Sequence, residues 1–211
     1  MKKLIAFFGG LLFLHLGVAM LLELNLGSDP FTLFTQGLAT ILHITPGWAN
    51  RLITFVFLGI LFILDRKSIK LGTFLCMIFV GFAIDFNLAL IAPLQMGSYG
   101  FGVRILLFML ACIIIGIGFS ILKCSDLGIP PNDLMYFMFV EKLNKPYGKV
   151  RMACDGVSAI VGISLGGIVG IGTILCILLI GPIVQFFLPR VEKVVLPLLN
   201  TAENINPTEE M

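Results

Sequence analysis

At 211 residues, with 58% of them hydrophobic and 12% charged, the chain is too apolar for a soluble domain, for which about 45–50% apolar and about 25% charged is usual. That balance excludes a disordered chain, a disulfide-stapled secreted scaffold and a nucleic-acid binder with a basic face. The net charge of +2 says less by its size than by where the charges fall.

The apolar runs, in chain order, cover residues 4–25, 52–64, 71–93, 101–122, 152–165 and 168–188. Each is read as one helical span, at about 20 residues per crossing. The first follows Met1-Lys2-Lys3, as a signal peptide would, but it is long and lacks an A-x-A-like site. Two further stretches, 30–43 and 130–144, are apolar but too short to cross. Fourteen helical residues reach about 21 Å against a core of about 30 Å. Both open on proline, which suits a first helical turn, and follow a Leu-Gly pair that can end the helix before. They are expected to be interfacial or re-entrant helices. The tail 200–211 is polar and expected to be cytoplasmic.

The basic residues set the orientation. Lys2 and Lys3 precede the first span; Arg66, Lys67 and Lys70 separate the second and third; Lys123, Lys142, Lys145, Lys149 and Arg151 separate the fourth and fifth; Arg190 and Lys193 follow the sixth. The alternate connections hold only Arg51 and Arg104, near their ends. The reading is an all-α polytopic membrane protein with both termini cytoplasmic, its transmembrane domain spanning 1–199.

The chain also repeats itself. Residues 17–34 (GVAMLLELNLGSDPFTLF) align with 118–135 (GFSILKCSDLGIPPNDLM), and residues 72–86 (GTFLCMIFVGFAIDF) with 172–186 (GTILCILLIGPIVQF). Coincident Gly, Thr and Pro are harder to attribute to shared apolarity than coincident Leu. The halves, about 4–93 and 102–189, would each be span, short helix, span, span. Three spans per half force opposite orientations, so the fold expected is six transmembrane helices as two inverted three-helix repeats. Transporters often use this design, with a midplane site between the repeats.

Within this frame few residues can carry function, since ionisable groups inside a membrane are costly. Asp85 lies well inside the third span, and its repeat counterpart is Gln185; it is either a pathway residue or a polar group near the outer end of the span, solvated by headgroups. Arg51 and Arg151 are also equivalent; each is either a snorkelling anchor or an anion contact. Asp155 follows Arg151 by one helical turn and could pair with it. Asp29 and Asp133 begin the short helices, where capping competes with a cation or proton site. Asn132 could help the free N–H groups there to hold an anion. The five cysteines show neither CxxC nor zinc spacing and are expected to be packing residues. His15 and His43 stand at no metal or triad spacing, and no Ser/His/Asp or Cys/His set assembles. No enzyme, metal, cofactor or nucleic-acid partner is expected.

Leu26-Gly27-Ser28-Asp29-Pro30, the run from Asp126 to Met135 (DLGIPPNDLM), Gly72-Thr73, and the Gly-rich Gly166 to Thr173 followed by Gly181-Pro182 resemble the YczE/YyaS-like family of small bacterial integral membrane proteins. The resemblance runs from about Phe8 to Pro189. It implies a plasma-membrane location but no settled substrate. Members often carry Arg-x-x-x-Glu on the fifth span, where this chain has Arg151 and the shorter Asp155. They often carry a base where this chain has Asn132. The function expected is a small permease or secondary transporter of a small polar or anionic solute. The alternatives are an accessory protein that binds a partner through a cytoplasmic loop 123–151, and a lipid-handling protein. The partners expected are the lipid bilayer, a small-molecule solute and, in the accessory reading, a protein at the loop 123–151; the residues do not give an oligomeric state.

Overall fold

The computed structural model describes residues 1–167 and 169–200. They form eight α-helices: α1 Lys2–Leu24, α2 Pro30–Leu42, α3 Pro46–Leu64, α4 Leu71–Ile91, α5 Phe101–Cys124, α6 Pro131–Leu143, α7 Tyr147–Ser164 and α8 Ile171–Asn200. Among the described residues there is no strand. Both short helices form where expected. The start expected for the last span, residue 168, and the tail 201–211 lie outside the described residues.

Local chemistry sets the breaks. α1 ends at Asn25 and α2 at His43, both in the left-handed conformation, with φ 48° and 51°, which Asn and His adopt more readily than most side chains. Asp29 then starts α2: its Oδ1 accepts from the N–H groups of Phe31 and Thr32, both at 3.1 Å. Thr45 caps α3, its Oγ1 accepting from Trp48 N at 3.4 Å. Proline occupies the first turn of α2, α3 and α6, where its missing N–H costs nothing.

The bundle is organised around the crossing of α1 and α5. α4 packs on α1 and α8 on α5; α2 packs on α7 and α3 on α6. Glycines let α1 and α5 approach. A Cβ added at Gly118 would overlap the backbone of Phe13 and Leu14, and one at Gly10 the backbone of Ile121 and Leu122. At the ends of the crossing, Gly72 N donates to Leu127 O at 2.7 Å and Gly172 N to Leu26 O at 2.9 Å. Each acceptor is followed by a left-handed glycine, Gly27 at φ 130° and Gly128 at φ 131°, a conformation that strains any residue with a Cβ.

Five helices, α1, α3, α4, α5 and α8, are long and apolar enough to cross a membrane. α3 begins at Pro46, close to Trp48 and ahead of the apolar run at 52, which gives it its length. α7, expected as a span over 152–165, falls outside that class, because Lys149, Arg151 and Asp155 stand among its 18 residues. The connection 123–151 holds the short helix expected within it. α6 fills its middle and packs against α3 and α7, while Lys142, Lys145 and Lys149 stay exposed.

α3 and α4 make at most isolated contacts along their lengths. Only 17% of the apolar stretch of α3 and 22% of that of α4 is buried, against half for α1 and α5. Phe62, Ile63, Phe82, Phe86 and Leu90 are among the side chains left outside, a surface suited to lipid.

If the glycine crossing holds the bundle, Gly118→Val should destabilise the protein by about 1–3 kcal/mol, the usual cost of overpacking. Gly59→Ala on α3, with nothing within 4 Å of the new methyl, should be neutral to within about 0.5 kcal/mol. Thermal melts of the two variants in detergent check this.

Candidate functional site

The gap beside α3 opens onto a cavity of about 580 Å³ inside the bundle, within the usual range of about 300–1,000 Å³ for small-molecule sites. Apolar side chains of α1, α4 and α5, among them Leu14, Val18, Met77, Val80 and Phe119, form much of its wall. The starts of α2 and α6 supply Ser28, Asp29, Thr32, Asn132 and Asp133; α3 supplies Asn50, Arg51 and Thr54; α7 supplies Arg151; and α1 supplies His15. A second cavity of about 540 Å³ lies between α1, α2 and the Gly166-Gly167 turn. The two share Leu21, Leu22, Gly27 and Ser28 as a common wall. Ser28 is tied there to Gln36, whose Nε2 donates to Ser28 Oγ at 3.2 Å.

A charge cluster closes one side of the central cavity. Arg151 Nη1 donates to Asp133 Oδ1 at 3.2 Å and to the Tyr147 hydroxyl at 2.8 Å. Its Nε lies 3.5 Å from Asp155 Oδ2, poorly aligned, and is left without a hydrogen bond. The Tyr136 hydroxyl donates to Asp155 Oδ1 at 2.8 Å, and the Tyr136 ring centroid stands 5.0 Å from the guanidinium carbon. Helical spacing assembles much of this: Tyr147, Arg151 and Asp155 follow at one-turn intervals on α7, and Asp133 and Tyr136 share a face of α6. Asp133 and Asp155 are 6% and 3% exposed, so each needs the shared guanidinium.

Of the residues expected from sequence, Asp29, Asn132, Asp133, Arg51 and Arg151 border the central cavity, with Asp155 behind Arg151. Asp29 also caps α2. Arg51 is exposed, 5.1 Å from the Trp48 ring centroid. Two residues require correction. Asp85 is exposed on the outer face of α4 and does not line the cavity. Asn87, two residues on, is the polar residue of α4 that turns inward, donating to Leu12 O at 3.1 Å and Ala83 O at 2.7 Å. The period of α4 could not choose between them, because the helix is apolar on every side. Gln185 is absent from the cavity as well. Its Oε1 accepts from Gly148 N at 2.8 Å and so satisfies the start of α7.

Three residues were missed. Tyr136 and Tyr147 could have been found from their spacing to Asp133 and Arg151. His15 was weighed only as a metal or triad residue; its place inside an apolar span was the better signal. Arg104, expected at the outer boundary, ties off α1, donating from Nε to Leu24 O at 2.9 Å and from Nη2 to Asn25 O at 2.8 Å.

Replacing Arg151 by Met would strand two buried carboxylates, a change that typically costs about 3–5 kcal/mol. The Arg151→Met, Asp155→Asn double variant should recover part of that loss. Tyr136→Phe removes one hydrogen bond to a charged group and should cost about 1.5–3 kcal/mol. Thermal stability of the three variants in detergent is the measurement.

The sequence profile of a family of unknown function, DUF6198, matches residues 1–189. The chain is 29% identical over 185 residues to the "Uncharacterized membrane protein YczE" of Bacillus subtilis, covering 87% of this chain and 84% of that protein. It is 27% identical over 179 residues to an "Uncharacterized protein" of Haemophilus influenzae, covering 83% and 78%. It is 25% identical over 185 residues to the "Uncharacterized protein YyaS" of Bacillus subtilis, covering 87% and 91%. No solved structure matches. With its apolar helices and the expected resemblance to YczE and YyaS, the chain is an integral membrane protein and belongs to the DUF6198 family.

Proposed function

We propose that the protein is a small permease or secondary transporter of the bacterial plasma membrane, carrying a small polar solute through the central cavity. The observation that carries this is the pair of adjoining cavities. One lies inside the bundle among costly intramembrane charges, and the other is separated from it by a wall that includes the Ser28–Gln36 bond. A packing bundle has no use for buried ionisable groups bordering an open space. No catalysis is assigned.

The same reading takes the chain as six spans in two inverted repeats, with both termini cytoplasmic and short helices that re-enter the bundle. What supports it is exchange symmetry: the order α1–α4 recurs as α5–α8, and equivalent residues swap roles. Gly72–Leu127 answers Gly172–Leu26, and Gly17 against Ile115 answers Gly118 against Leu14. α7 serves as the sixth span because Arg151 and Asp155 turn inward while Val157, Ile160 and Ile163 lie on the outside. Transport would then be a rocking of one repeat on the other. Arg151 is engaged with two carboxylates and is not free to meet an anion, which weakens the anionic form of the reading.

A second reading, lipid handling, is favoured by the sideways opening of the cavity between α3 and α4. An accessory role would use the exposed Lys142, Lys145 and Lys149.

Purified protein in liposomes should accumulate a solute under an ion gradient. Reversing the charge at Lys142, Lys145 and Lys149 together should leave that uptake within about twofold, since surface changes away from a site act weakly. Failure to move any solute, with dependence of a partner protein on the three lysines, would instead establish the accessory role.

A further inference from the structure

We infer that the central cavity takes a small organic cation, a protonated amine on a compact apolar body. The inference rests on reading this cavity as the solute site. It starts from His15, which is 5% exposed and lines the cavity. Its Nδ1 lies 2.7 Å from Leu11 O. A carbonyl only accepts, so Nδ1 carries the proton, and in the neutral form of the ring Nε2 is a bare acceptor. Among the described residues nothing donates to that Nε2.

The carboxylates add to this. Asp29 spends Oδ1 on the N–H groups of Phe31 and Thr32, and among the described residues its Oδ2 has no hydrogen bond. Asp133 likewise uses Oδ1 on Arg151 and, among the described residues, leaves Oδ2 without one. Three carboxylates, Asp29, Asp133 and Asp155, stand against the one guanidinium they surround or face. Arg51 is an exposed charge stacked on Trp48 and is screened by solvent. The opposing influences are the positive ends of α2 and α6, each worth about half a charge, together less than the carboxylate excess. Against the unspent acceptors His15 Nε2, Asp29 Oδ2 and Asp133 Oδ2 stand the unpaired Arg151 Nε, which already faces Asp155 Oδ2 at 3.5 Å, and the uncapped start of α6; the carboxylate excess leaves the field of the site negative. Phe31, Phe55, Phe74 and Phe119 on the same lining suit an apolar body and can receive the cation on their ring faces.

The test uses three probes of one shape: 2-phenylethylammonium, 3-phenylpropionate and 3-phenylpropan-1-ol. Binding to the purified full chain in detergent is measured by calorimetry, and uptake by the same protein in liposomes. The ammonium should bind at least about tenfold more tightly than the other two. Asp29→Asn keeps the α2 cap, because an Asn oxygen accepts the same N–H groups, and should weaken ammonium binding about tenfold or more. Asp85→Asn, on the outer face, should leave it unchanged. Preference for the propionate or the alcohol, no binding of any probe, or equal loss in Asp29→Asn and Asp85→Asn overturns the inference. Ammonium that binds as predicted but is not carried upholds the inference and removes the permease reading. Propionate that is bound and carried does the reverse.

Discussion

The close crossing of α1 and α5 is the constraint on which the rest depends. In lipid, helix association gains little from apolar burial, so van der Waals contact at short range must hold it. Gly10 and Gly118 supply that contact by admitting the partner backbone where a Cβ would stand. The N–H groups of Gly72 and Gly172, which no turn of their own helices could satisfy, are met by carbonyls beside Gly27 and Gly128. A spanning chain cannot leave such groups unpaired, so a second set of glycines, at the ends of the crossing, fixes where α4 and α8 start.

With α1 and α5 fixed, the outer helices are not equivalent in packing. α7 leans on α8 and on α2, whereas α3 leans on α2 and α6 and makes at most isolated contacts with α4. The space left beside α3 is the central cavity. Its charges are tolerable because they are held in one network: Arg151 between Asp133 and Asp155, with the Tyr136 and Tyr147 hydroxyls completing the coordination. The network joins α6 to α7, so the short helix is anchored by charge at its start and by apolar contacts beyond.

Much of the architecture was legible in the sequence because its signals are local. Proline after a Leu-Gly pair marked the starts of both short helices, and Asp29 reads directly as a cap. The Arg151–Asp155 spacing predicted an ion pair, although not that Asp133 from another helix would share it. Periodicity carried no information where a helix is apolar all round, which is why Asp85 was placed inward in place of Asn87. Gln185 lies away from the cavity for a different reason: its alignment with Asp85 suggests a shared position, but Asp85 faces outside and Gln185 serves the start of α7. His15 escaped because a histidine that neither ligates metal nor joins a triad has no spacing to recognise. The apolar run of α3 begins only at 52 because Trp48, Asn50 and Arg51 lower the hydropathy of its first turns.

The central claim is that a polar, water-reachable space lies inside this membrane bundle at the starts of both short helices. Cysteines introduced one at a time at Thr32, Asn132 and Phe82, in a chain whose five native cysteines are replaced, can be challenged with a membrane-impermeant charged thiol reagent in intact liposomes and with both faces open. The account predicts modification at Thr32→Cys and Asn132→Cys and none at Phe82→Cys, which faces lipid. Unreactive cysteines at both short-helix starts, or equal reaction at Phe82→Cys, would contradict it.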